Sequence, residues 1–443
     1  MSGKSYVISN TIIASLGGFL FGFDTAVISG VEGSLETIFE LTRFWHGFTV
    51  AIALIGTAIG AITISRPGDY FGRKKILITL AIFYTVSALG SALSQTWHAL
   101  LIYRFLGGLA VGGSSVMAPM YIAEISPAHI RGRLVAVFQF NVVTGILIAF
   151  LSNYLIDTYI ENYSWRWMLG VMAIPSFIFF ILLFFVPNSP RWLVRQNRID
   201  EAERILAKCG AHDVKAEIDD ILESLKIELN GIKEKFFSRK YRIPILTAVM
   251  VAAFNQLTGI NAVMYYAPRI FEMAEVSRNT ALLQSVAVGF TNMVFTIMAM
   301  AVIDRYGRKT LLLIGSVGMS FFLGMVARSY YIENFGGLAV LIYLLGYIAF
   351  FAFSQGAVIW VFISEIFPNK VRARGQSLGS FTHWAMAAIV SLSFPILAKV
   401  VGGGNSFMFF SAMMVLQLIF VWIFIPETKG KSLEQIQKEL GIE

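Results

Sequence analysis

The sequence predicts an all-α integral membrane protein with about twelve transmembrane helices in two six-helix halves. Three observations lead there. Of the 443 residues, 56% are hydrophobic and 14% are charged, whereas a soluble domain carries roughly 25% charged residues. The apolar stretches run to about 20 residues without the alternation of a barrel strand, and the mean hydropathy is +0.69. Motifs of the first half also return in the second half in the same order.

Spans are expected near residues 7–30, 45–66, 75–94, 98–122, 134–157, 165–186, 243–273, 280–303, 310–330, 337–364, 376–400 and 405–425. The first apolar run is longer than a signal-peptide core and lacks a convincing cleavage site, so it reads as a span. This gives a six-helix bundle over 1–186, a linker over 187–242, a second bundle over 243–425 and a tail over 426–443. Within the linker, DEAERILAKCG and VKAEIDDILESLKIEL have helical periodicity with charged faces, as expected of short helices at a membrane surface.

The formal charge of +8 invites a nucleic-acid reading, but its placement argues otherwise. The N-terminus, alternate connections and tail hold 28 of the 35 Lys and Arg residues. The positive-inside rule puts those segments and both termini in the cytoplasm, and the expected location is the cell (inner) membrane. The single cysteine, Cys209, excludes an internal disulfide.

The repeats have offsets near 240 residues. GDYFGRKK (68–75) returns as IDRYGRKT (303–310), EISPAHIRGR (124–133) as EIFPNKVRAR (365–374), and PNSPRWL (187–193) as PETKGKS (426–432). An even number of spans per half makes both halves enter the membrane in the same sense. In such arrangements the ligand site is expected near the midplane.

The stretch NQLTGINAVMYYAP (255–268) begins the second half. It puts Asn255, Gln256 and Asn261 inside an apolar run, and a buried amide without a partner costs a few kcal/mol. At about 100° per residue the three do not share one face of a regular helix. A break at Gly259 can turn them toward a common space, which Tyr265 can cover from one turn above. Gln139, Asn292, Trp360, His383 and Trp384 are further polar or amphipathic residues within spans. Amides suit sugar hydroxyls and an indole face suits the apolar face of a sugar ring. Taken singly, each has a plainer packing reading, His383 included.

Asp24 and Arg104 both fall roughly 10 Å below the same membrane face. Each charge alone would be expensive, so a pair is expected. It is either structural or a proton switch, since burial favours a neutral carboxyl and an adjacent Arg an ionised one. The two Asp-x-x-Gly-Arg-Lys turns combine a tight turn with charges that can meet helix ends or neighbouring loops, as a conformational latch requires. No nucleophile–base pair, phosphate loop or Cys/His metal cluster is visible, so an enzyme is not expected.

In combination, GFDTAVISG, the two Gly-Arg-Lys turns, APMYIAEISPAHIRGRL, PNSPRWL, QLTGINAVMYYAP, SEIFPNKVRARG and PETKGKS resemble the sugar porters of the major facilitator superfamily. The pattern lies nearest to that family's xylose–proton symporters and facilitative glucose transporters, and covers essentially the whole chain. The resemblance implies a monosaccharide site of Gln139, Asn255, Gln256, Asn261, Asn292, Trp360 and Trp384, and an outer gate of Tyr265 and Tyr266. It implies proton coupling through Asp24 and Arg104, where uniporters often have Asn in place of the acid. The cytoplasmic latch would comprise Asp69, Arg73, Glu124, Arg131, Asp304, Arg308, Glu365 and Arg372. Partners would be a monosaccharide, a proton and the lipid bilayer, with no cofactor, metal, nucleic acid or obligate protein partner.

Some positions depart from the pattern. Asn255 stands for a common Gln, Ile146 and His383 for two others, Asn188 for a Glu, and Tyr70 for an Arg. The tenth span lacks the usual Gly-Pro, which removes the proline cause of a kink. The expected function is sugar–proton symport by alternating access, with facilitative uniport and, more remotely, nutrient sensing as alternatives.

Overall fold

The computed structural model describes residues 3–127, 130–211, 213–230, 235–333, 338–368, 371–429 and 435. Among these it contains no β-strand, and twelve helices are long and apolar enough to cross a membrane. They are Lys4–Gly30, Arg43–Thr63, Arg73–Leu93, Trp97–Ile125, Arg131–Tyr159, Ser164–Leu183, Arg239–Met273, Arg278–Ile303, Arg308–Tyr331, Ala339–Glu365, Arg372–Val400 and Gly402–Phe424. Each lies within a few residues of its predicted span, because runs of apolar side chains set the lengths. The first helix continues past its span to Ile38. Between the sixth and seventh spans lie helices Pro190–Arg195, Ile199–Lys208 and Val214–Asn230, the last two on the stretches whose periodicity is helical. Ser189 starts the first of these, its hydroxyl accepting from the Trp192 N–H ahead of Pro190.

Residues cluster into two compact units. One comprises Met1–Asp24, Gly56–Ile146 and Leu169–Lys233, and the other Thr25–Ile55, Leu147–Met168 and Glu234–Glu443. In the first, Tyr84, Tyr121 and Phe179 are among the largest fully buried side chains. In the second, Ala248, Leu311, Ile359, Phe362 and Phe367 belong to one apolar cluster.

Two spans of the second unit are broken. The seventh divides into Arg242–Leu257 and Ile260–Met273, with Gly259 left-handed at φ 81°. A Cβ there would also lie 2.6 Å from the Phe410 ring, so glycine is required twice over. Tyr266, two residues before Pro268, has non-helical angles (φ −125°, ψ 22°), a second bend in the same span. The tenth span breaks at Ser354 (φ −119°, ψ −87°), although its sequence lacks the proline that would explain a kink. There the Ser354 hydroxyl donates to the Phe350 carbonyl at 2.6 Å, and Gln355 directs its amide to neighbouring spans.

Candidate functional site

The break at Gly259 brings the expected amides together. Asn261 Nδ2 donates to Gln256 Oε1 at 2.7 Å, and Gln256 Nε2 donates to Asn255 Oδ1 at 2.9 Å. Gln256 Nε2 also lies 3.3 Å from both ring nitrogens of His383. The His383 ring sits beside Trp360 (centroids 4.8 Å) and Trp384 (4.7 Å). Asn255, Gln256, Asn292, His383 and Trp384 are buried, Asn261 is half-buried, and Trp360 is 37% exposed. Gln256 and His383 thus link the amides to the two indoles, with Asn261 and Trp360 the least enclosed members, and no hydrogen bond joins Asn292 to them among the described residues. His383, which sequence reasoning gave a packing role, belongs to this group. Gln139 is half-buried on the fifth span, in the other compact unit.

Tyr265 and Tyr266 are buried, and the Tyr266 hydroxyl donates to the Ser391 carbonyl at 3.0 Å. Against the Tyr266 ring lies His46, edge-on at 5.9 Å. His46 opens onto a charged cluster that sequence reasoning missed. Its Nε2 is 2.5 Å from Glu32 Oε2 and its Nδ1 3.8 Å from Glu36 Oε2, while Arg269 Nη1 lies 3.3 Å from Glu32 and 2.6 Å from Glu36. Glu32 and His46 are only 3% and 1% exposed, so ionisable groups inside the helices are not confined to the few read from sequence. Burial pushes the Glu36 carboxyl up, but the Arg269 hydrogen bond and the charges of His46, Arg269 and Lys399 outweigh it and leave it below its ordinary value. The ligand atoms of Glu32, Glu36 and His46 lie within 4.8 Å of one another, as a metal would need. Arg269 already supplies the cation. The available sequence signal was the i, i+4 spacing of Glu32 and Glu36, which puts both on one helical face.

In the first unit, Asp24 and Arg104 meet as their depth requires. Arg104 Nη1 donates to Asp24 Oδ1 at 2.7 Å, and both residues are 2% exposed. Gly107 leaves room alongside, since a Cβ there would lie 2.4 Å from Ser87 Oγ and 3.5 Å from Asp24 Oδ1. Arg104 Nε has no hydrogen-bond partner among the described residues. A buried charge pair of this kind is costly to break from one side only.

The two Gly-Arg-Lys turns share one geometry. Gly72 (φ 91°) and Gly307 (φ 90°) each precede an Arg that folds back onto a backbone carbonyl, Arg73 to Gly68 at 2.9 Å and Arg308 to Ile303 at 3.4 Å. Arg73 pairs with Asp69 and Glu124, both at 3.0 Å, and Arg195 joins Asp69 at 3.3 Å. Arg308 pairs with Glu365 at 2.9 Å. Glu124 is bonded by the Ser189 hydroxyl and Glu365 by the Thr428 hydroxyl, matching partners from the two repeated proline motifs. One asymmetry follows from sequence. Glu427 accepts from the Arg308 and Lys309 N–H groups at 2.9 and 3.1 Å, satisfying the start of the ninth span. At the corresponding place Asn188 instead reaches Glu201 at 3.4 Å. Among the described residues Arg131 donates only to its local backbone, the Ser126 carbonyl at 3.4 Å. Arg372 Nε and Nη2 have no hydrogen-bond partner among the described residues, and the Asp304 side chain lies outside them.

A family model described as "Sugar (and other) transporter" matches residues 10–440. The chain belongs to this family. Among curated relatives, the arabinose-proton symporter of Bacillus subtilis (strain 168) is 37% identical over 98% of this chain and 95% of its own length. The D-xylose-proton symporter of Escherichia coli (strain K12) is 36% identical over 98% and 96%. Among solved structures, the inward open conformation of the xylose transporter XylE from E. coli aligns with TM-score 0.87 and 36% identity over 98% of this chain and all of that one. The chain is therefore a multi-pass membrane transporter of the major facilitator fold, and not an enzyme.

Proposed function

We propose that the chain is a monosaccharide–proton symporter working by alternating access of its sequence-related halves, residues 1–186 and 243–425. The observation that carries coupling is the Asp24–Arg104 pair, an acid and a base joined at 2.7 Å within apolar helices. A conformational change that parts them removes the ion pair that opposes proton uptake by Asp24, provided that Arg104 finds another partner. The relatives named as arabinose- and xylose-proton symporters support the same reading. Substrate contacts are assigned to Gln139, Asn255, Gln256, Asn261 and Asn292, with Trp360 and Trp384 offering ring faces. Tyr265 and Tyr266 form the outer gate. Asp69, Arg73, Glu124, Arg131, Asp304, Arg308, Glu365 and Arg372 act at the opposite, cytoplasmic end. The protein resides in the inner membrane with both termini in the cytoplasm and needs no protein partner.

The test is uptake into proteoliposomes, with and without an inward proton gradient, across pentoses, hexoses and inositol. Gradient-driven accumulation of at least one sugar is expected. Equilibration without accumulation for every sugar transported leaves facilitative uniport, and no uptake of any sugar overturns the reading.

A further inference from the structure

The amides around Gly259 do not end at Asn255. Asn255 Nδ2 donates to Gln355 Oε1 at 3.2 Å, Gln355 Nε2 donates to Gln417 Oε1, and Gln417 Nε2 donates to Ser316 Oγ at 2.8 Å. Ser316 Oγ in turn donates to the Leu312 carbonyl at 2.7 Å. Six side chains from the seventh, tenth, twelfth and ninth spans form one continuous hydrogen-bonded line within a single compact unit. Ser316 is fully buried, and Asn255, Gln256, Gln355 and Gln417 are each 1% exposed. The gap beside Gln355 and Gln417, walled by Val251, Phe254 and Phe420, does not admit a water-sized sphere. Among the described residues these amides have as partners one another, the Ser316 hydroxyl, the Gln355 carbonyl and the His383 ring. Asn261 is the half-buried end of the line.

The far end decides the direction. A hydroxyl has a single proton. At 2.7 Å from the Leu312 carbonyl, Ser316 must spend that proton there, because two facing oxygens without it would repel. Ser316 can then only accept from Gln417, so Gln417 presents its NH₂ to Ser316 and its carbonyl to Gln355. The same constraint passes to Gln355, Asn255, Gln256 and finally Asn261. Asn261 must give an N–H to Gln256, and its Oδ1 accepts from nothing among the described residues.

We infer that Ser316, Gln417 and Gln355 are positioning residues that fix the polarity of the substrate site, so that Asn261 offers a carbonyl oxygen and selects a sugar hydroxyl that donates to it. The inference rests on the sugar-site reading above. A sugar position held this way needs a hydrogen to give. Deoxy and fluoro analogues at that position both lack it, so the two should bind equally poorly.

The experiment measures uptake KM, and affinity of detergent-purified protein normalised to its folded fraction. It uses a transported sugar and its deoxy and fluoro analogues at each carbon, in the parent and in Asn261→Ala, Ser316→Ala, Ser316→Thr and Gln417→Met. In the parent, one position should lose roughly tenfold in affinity for both analogues alike, and Asn261→Ala should abolish that preference. Ser316→Ala removes the terminal acceptor five side chains away. It should raise KM about threefold to tenfold and shrink the hydroxyl preference at that same position. Gln417→Met should do likewise, while Ser316→Thr, which keeps the hydroxyl, should restore parental values. A merely structural role would lower the folded fraction or the turnover for all analogues equally, leaving the preference intact. That result overturns the inference, as does fluorine tolerance at the Asn261-dependent position. If Asn261→Ala changes no sugar's affinity, the sugar-site reading itself fails. If Asn261→Ala weakens binding but both Ser316→Ala and Gln417→Met match the parent, only the relay fails.

Discussion

Arg269→Gln is the most informative stability test, because Arg269 is the shared cation of two acids. In the parent it lies 2.6 Å from Glu36 and 3.3 Å from Glu32, whose remaining neighbour is His46 at 2.5 Å. Removing the guanidinium leaves two carboxylates facing one imidazole. Stripping one partner from a fully buried pair costs about 3–5 kcal/mol. Here the Glu36 and Arg269 side chains are 26% and 30% exposed, so water screens part of the charge. A loss of about 2–3 kcal/mol is expected. The assay is thermal unfolding of purified protein in detergent at neutral pH, in a cycle with Glu32→Gln. The double variant should recover at least about 1 kcal/mol relative to additivity, since it also removes one of the two stranded acids, the more buried Glu32. The pH dependence adds a sign. A depressed carboxyl contributes stability above its ordinary value of 4.5 and loses it as pH falls through the depressed value. That acid-side loss should flatten in Arg269→Gln, because the guanidinium whose hydrogen bond and charge lower Glu36 is gone. An unchanged melting temperature with a strictly additive cycle would refute the reasoning.

Three further perturbations follow. Gly259→Ala forces a left-handed non-glycine residue and a Cβ 2.6 Å from Phe410, so it should cost at least about 1–3 kcal/mol and weaken sugar binding, as melting and titration would show. Glu427→Gln removes the charge satisfying the Arg308 and Lys309 N–H groups and should cost about 1 kcal/mol in the same melting assay. Cys209 is 4% exposed, and burial, aided by the Glu217 charge, pushes its thiol up to about 11. It should resist maleimide labelling near pH 7 in the folded protein and react once the protein is unfolded.

Most of the helical framework was legible because length and hydropathy alone decide which segments can span a bilayer. The Asp24–Arg104 pair was legible from equal depth, and the Asn255–Gln256–Asn261 grouping from the glycine between them. What escaped was whatever depends on side chains far apart in sequence. Gln355 and Gln417 look like isolated amides in apolar spans until the fold sets them side by side. Glu32, His46 and Arg269 read as ordinary charges near span ends, since burial there comes from neighbours rather than from local hydropathy. The tenth-span break was obscured for another reason. It is marked by a serine hydroxyl bonded to a carbonyl one turn back, which has a weaker sequence signature than proline.

Energy coupling through Asp24 is the central claim, and Asp24→Asn tests it most directly. Asn keeps the shape and cannot ionise. It mimics the protonated acid and frees Arg104 from its 2.7 Å partner, so the folded fraction must be matched between variant and parent. Counterflow and pH-driven accumulation are measured in the same vesicles. The account predicts that sugar-for-sugar exchange survives, because it requires no net proton release, and that uphill uptake disappears. An Asn variant that still concentrates sugar in response to the proton gradient would contradict it.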